Sequence, residues 1–201
     1  MASPDLERWS QTRPKDVARW LGSWSEPWWI AGGFALELFL GRPIRDHADL
    51  DVGVFRDTQP ALHEILAGFE FYAADRGVLH PLEPGQPAQA GVHSLWCRRE
   101  GSGAWQLEIV LEERDAEQWV FRRDRELRLP REWLTRRDPA GLPYLRPEIQ
   151  LLYKAKARRE RDETDFRAVV PALDLHALAW LREALAKTDP GHEWLERLRI
   201  Q

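Results

Sequence analysis

The spacing of apolar positions along this chain changes character twice. Near the start, Asp16–Leu21 has helical spacing and follows Pro14, which predicts a short amphipathic helix. Trp28-Trp29-Ile30 is a brief apolar run of strand length, and Gly32-Gly33 interrupts it. Phe34–Leu40 then predicts a helix that stops at Gly41, and Asp49–Phe55 alternates with period two, as a strand does. Thr58 is placed to cap a helix over Pro60–Ala67. From Phe69 the pattern becomes a series of short apolar stretches at Phe69–Tyr72, Gly77–Leu82, Val92–Cys97, Trp105–Leu111 and Trp119–Phe121. Gly- and Pro-rich pieces separate them, so strands and hairpins are expected. The last third returns to helical spacing: Pro147 opens a helix over Glu148–Arg159, and a second begins near Asp162. Asp174 caps a third with Leu175, Leu178, Leu181 and Leu185 as a core stripe, and a fourth starts at Asp189-Pro190-Gly191 and ends near Arg199. An α/β part in front and a helical bundle behind follow from this reading. The boundaries are 1–122 for the first, 147–201 for the second, and a proline-rich linker, 123–146, between them.

Composition narrows the class. With 201 residues, 43% hydrophobic and 31% charged, the chain can bury a substantial core and is not disordered. No apolar run approaches the ~18 residues of a membrane span, and the N-terminus lacks the pattern of a signal peptide. The single cysteine, Cys97, makes neither an internal disulfide nor a cysteine zinc site. A cytoplasmic protein without a membrane partner is the expectation. The net charge of −4 argues against broad nucleic-acid binding. Tryptophan is frequent, at 11 residues, and lysine is rare beside arginine, a bias that a GC-rich coding sequence explains.

The chemistry concentrates in one stretch. Asp49 and Asp51 lie two apart on the predicted strand, so their Cα atoms sit about 6.6–6.8 Å apart on one face, a spacing at which two carboxylates can converge on Mg²⁺. Gly32-Gly33 stands between a strand and a helix start, where free N–H groups and the positive end of the helix dipole suit a phosphate. A third carboxylate is sought on a neighbouring strand. Glu108, flanked by Leu107 and Ile109, is the first candidate, and Glu112 shares its parity. Arg42, Arg45 and His47 lie on the loop entering the acidic strand, placed to meet a triphosphate or to shape the site. Lys154 and Lys156 point to different faces of one helix, so at most one reaches a nucleotide, and Lys154 is the choice.

The segment from Gly32-Gly33-Phe34-Ala35-Leu36-Glu37 through Leu40-Gly41-Arg42-Pro43-Ile44-Arg45-Asp46-His47-Ala48-Asp49-Leu50-Asp51 resembles the signature of the nucleotidyltransferase superfamily. More narrowly it is similar to the aminoglycoside 2″- and lincosamide nucleotidyltransferases, whose spacing the fifteen residues between Gly33 and Asp49 match. Arg146–Lys156, followed by Arg161–Phe166, is similar to the helical part of related bacterial proteins. The resemblance implies an α+β fold: a small mixed sheet with flanking helices, followed by a C-terminal helical bundle. It implies transfer of a nucleoside monophosphate, AMP from ATP or the equivalent from another NTP, to a hydroxyl of a small aminoglycoside-like acceptor. Asp49, Asp51 and Glu108 then map onto the carboxylates that hold two Mg²⁺ ions, with Glu108 as base where the family usually has aspartate. Gly32, Gly33, Arg42, Arg45, His47 and Lys154 fall on the nucleotide side. Two other readings use the same residues: a toxin that modifies tRNA or protein, and a degenerate fold kept as a binding module.

Overall fold

A computed structural model describes residues 5–198 of the chain. The residues before Asp5 and the expected helix end near Arg199 lie outside the described residues. The fold is α+β, as expected, and the chain divides into two compact units. The first contains residues 1–34 and 47–114, and the second contains 35–46 and 115–201.

The first unit begins with α1 (Pro14–Leu21), which has Pro14 at its start and buries Val17 and Leu21. Then come β1 (Trp28–Ile30), the first turn of α2 (Gly32–Leu40), β2 (Asp51–Phe55) and, after a 3-10 turn, α3 (Leu62–Ile65). Four further strands follow: β3 (Phe69–Asp75), β4 (Val78–Leu82), β5 (Ser94–Arg99) and β6 (Leu107–Asp115). The sheet order is β4-β3-β5-β6-β2-β1. Every neighbouring pair in it is antiparallel except β2 and β6, which run parallel. One sheet face is continuous hydrocarbon: Ile30, Val52, Val54, Leu95, Leu107, Ile109 and Leu111 are all fully buried. Alternation along the strands therefore puts Asp51 and Glu108 on the other face.

The second unit holds the rest of α2 and its loop, followed by the hairpin β7 (Gln118–Val120) with β8 (Arg128–Pro130). The hairpin β9 (Thr135–Arg137) with β10 (Pro143–Leu145) comes next. Four helices complete the unit: α4 (Pro147–Ala155), α5 (Glu160–Val169), α6 (Leu175–Thr188) and α7 (Trp194–Arg197). Eight of the nine α4 residues are buried, which makes α4 the middle of the bundle. Phe166 stacks on Trp194 with ring centroids 4.1 Å apart.

Four expectations change. The strand begins at Asp51, so Asp49 lies just before it, not on it. The stretch 123–146 is not a bare linker: it carries β8, β9 and β10, and Leu134 in it is buried. Pro60 falls in a 3-10 turn, and the Thr58 hydroxyl donates to the Phe55 carbonyl instead of capping a helix. Leu175 is 66% exposed and leaves the α6 stripe to Leu181 and Leu185, because it sits at the first helical position, beyond the packed face.

Candidate active site

The geometry starts from the Gly32 backbone. Gly32 has φ +64°, a left-handed conformation that opens α2 directly after β1. A Cβ there would overlap Asp51 Oδ2, so glycine is needed twice: for the backbone angle and for the carboxylate lying against it. Two backbone bonds lock the surroundings. Ala31 N donates to Asp51 O at 2.9 Å, and Glu108 N donates to Leu50 O at 2.9 Å. The parallel register sets Asp51 directly opposite Glu108, about 4.8 Å away between strands. Both residues are half-buried. Glu112 pairs with Phe55 instead, four residues further along β6, and is almost fully buried. Of the two glutamates, Glu108 is therefore the one beside Asp51.

The charge of Glu108 is felt by its neighbour. Burial pushes the Cys97 thiol well above its ordinary range, and the Glu108 carboxylate adds to the shift, so Cys97 is a closed, protonated core residue. His47 packs its half-buried ring on Phe34, with centroids 4.3 Å apart. Among the described residues no three His, Cys, Asp or Glu side chains come together as a metal cage. The arrangement is a pair of neighbouring carboxylates, Asp51 and Glu108, with Asp49 on the approach to the strand. Magnesium is commonly held by one or two carboxylates together with substrate phosphates, so this donor set fits a metal–nucleotide complex.

Tryptophan and glycine support this face in a way the sequence reading missed. Trp29 pairs with Gly53, and a Cβ at Gly53 would overlap the indole. The indole thus lies against β2 at Gly53, with the Phe55 ring centroid 5.2 Å from it. The sequence shows a large and a small residue on two strands, but only the register makes them face each other.

The other expected residues belong to the second unit. Arg42 is exposed on the loop after α2. Arg45 places both ends of its guanidinium on Asp165, Nε to Oδ1 and Nη2 to Oδ2, each at 3.0 Å. Lys154 was expected to face a nucleotide. It is instead buried, with its ammonium 2.8 Å from Asp165 and 3.3 Å from Asp162, because α4 is the central helix and the carboxylates of α5 neutralise it. Lys156, two residues on, is the exposed lysine of that helix end.

The sequence profile of the aminoglycoside-2''-adenylyltransferase family matches residues 15–102. No curated protein matches the chain. Among solved structures, the chain is similar to the antibiotic-resistance factor ANT(2'')-Ia, with a TM-score of 0.56 and 14% identity, over 86% of this chain and 89% of that one. It is also similar to the lincosamide antibiotic adenylyltransferase LnuA, determined with lincomycin bound, with a TM-score of 0.56 and 14% identity, over 81% of this chain and 97% of that one. This chain therefore has the nucleotidyltransferase fold, and its front half resembles the aminoglycoside-2''-adenylyltransferase family.

Proposed function

We propose that the protein is a Mg²⁺-dependent nucleotidyltransferase that moves AMP from ATP to a hydroxyl of a small antibiotic-like acceptor. The observation that carries the reading is the pairing of Asp51 with Glu108 next to the left-handed Gly32. The relatives named above, one an antibiotic-resistance factor and one crystallised with lincomycin, support the acceptor class.

In this reading the triphosphate lies at the start of α2 on the Gly33 side, because the space a Gly32 side chain would fill is taken by the Asp51 carboxylate. Asp51 and Glu108, with Asp49 nearby, would hold the metal, which when bound offsets charge on the phosphates. Glu108 takes the proton from the acceptor hydroxyl. The acceptor oxygen bonds to the α-phosphorus as the bond to the β-phosphate oxygen breaks, and pyrophosphate leaves. The Asp51 carboxylate lies against Gly32, so it needs no rearrangement as charge develops. A net charge of −4 suits a polycationic acceptor.

The test is incubation with each NTP and Mg²⁺ against a panel of aminoglycosides and lincosamides, read by mass spectrometry. A mass increase of one nucleoside monophosphate on a panel member, lost in Asp51→Asn, is the expected result. Modification of tRNA or protein alone moves the acceptor to a macromolecule. No transfer to any acceptor leaves a binding module.

A further inference from the structure

We propose that Asp165 and Arg45 are positioning residues for the acidic strand: together they clamp the loop that delivers Asp49 and Asp51. The inference rests on the site proposed above. Its structural basis is a chain of alternating charges within the second unit. Arg45 is held bidentately by Asp165, and Asp165 also accepts Lys154 at 2.8 Å. Lys154 reaches Asp162 at 3.3 Å, and Asp162 accepts Arg159 at 2.8 Å. The two aspartates have fully buried side chains, and Lys154 is 7% exposed.

The clamp works on a stretch that has no regular structure of its own. Residues 42–50 form neither helix nor strand, so nothing local determines their course. His47 against Phe34 and the buried Leu50, whose carbonyl accepts from Glu108 N, hold the end next to the strand, and Arg45 is held from two sides at the other end. Glu37, on α2, accepts the backbone N–H groups of Ile44 at 2.7 Å and Arg45 at 3.3 Å. Asp165, on α5, takes the Arg45 side chain, and the same guanidinium donates to the Asp46 carbonyl at 3.1 Å. Arg45 is four residues before Asp49 and six before Asp51. Fixing its backbone and its side chain therefore limits where the following carboxylates can go.

A buried ion pair adds little net stability against a hydrophobic alternative, and in this proposal its use is to fix one geometry of the loop. Bidentate contact needs a planar fork in one orientation, which is a property of arginine and not of lysine. A small displacement of catalytic groups is costly, up to ~10²-fold for about 1 Å.

Two variants test the clamp, Asp165→Asn and Arg45→Met, by hydrogen exchange of residues 44–51 and by kcat and KM for the NTP. Arg45→Met leaves Asp165 paired with Lys154, so it keeps the test open if Asp165→Asn does not fold. Both should exchange these amides at least ~10-fold faster than wild type, with β3 and β5 unchanged. Both should lower kcat at least ~10-fold while KM stays within about threefold, and Arg45→Lys should recover part of the loss. Unchanged exchange at residues 44–51 in a folded variant overturns the proposal. So does a loosened loop with wild-type kcat. A large KM rise in Arg45→Met alone makes Arg45 a nucleotide ligand and also overturns it. If the wild type transfers no nucleotide at all, the proposed function falls, and the exchange measurement still decides whether Asp165 and Arg45 hold the loop.

Discussion

At the residue scale, two pairs of like residues carry separable roles. Gly32 and Gly41 both have left-handed backbones, φ +64° and +65°, but only a Cβ at Gly32 meets another atom, the Asp51 carboxylate. Gly41→Ala should therefore cost only the conformational term, about 1–2 kcal/mol, and Gly32→Ala distinctly more, together with lost turnover. Urea unfolding of the two variants compares them directly, and equal losses would remove the special role of Gly32. Glu108 and Glu112 separate in the same way. Glu108→Gln should lower turnover at least ~10²-fold, the low end for losing a general base, while Glu112→Gln keeps turnover in a destabilised protein. Steady-state kinetics on both decides the point, since only Glu108 lies opposite Asp51. Glu108→Asp should stay partly active, because it keeps a carboxylate opposite Asp51 on a shorter side chain.

At the element scale, α6 shows how local signals and packing divide the work. The Asp174 side chain accepts from Ala177 N at 2.8 Å, the N-cap bond expected from its position before an apolar stripe. Asp174→Ala should cost about 1 kcal/mol. The stripe is unequal. Leu181→Ala removes a fully buried side chain and should cost about 2–5 kcal/mol, whereas Leu175→Ala, at 66% exposure, should stay within about 0.5 kcal/mol. Thermal or chemical unfolding of the three variants checks the ranking. Helical periodicity identifies one face of a helix, but how far along that face the neighbours extend depends on elements distant in sequence.

At the scale of the whole molecule, buried charge links stability to pH. Burial alone would raise the Asp162 carboxyl, but the hydrogen bonds and charges of Arg159 and Lys154 outweigh it and hold the group below its ordinary value. Glu163 is lowered in the same way, with Trp194 and Arg197 opposing the effect of burial. A depressed folded pKa means that the unfolded chain binds the proton more readily. The contribution is therefore fully present above the ordinary carboxylate range and is lost as pH falls through it toward the lower folded values, below about pH 4. Unfolding free energy measured from pH 7 downward should fall there, and Asp162→Asn should flatten the slope; an equal slope in both would show that Asp162 is not a source. The same burial explains what could be read in advance. Strand alternation, the Gly-Gly break, the cap at Asp174 and the motif from Gly32 to Asp51 depend on neighbours within a turn or two, so the sequence alone determined the α+β class and the stretch that holds the chemistry. Only the tertiary structure decided that Glu108 rather than Glu112 faces Asp51, that Asp49 stands before the strand, and that 123–146 builds hairpins. It also decided that Lys154 is consumed by Asp162 and Asp165. Strand register and the partners of buried charges are set by residues up to 120 positions apart, as Arg45 and Asp165 are, and no local pattern encodes which of them will meet.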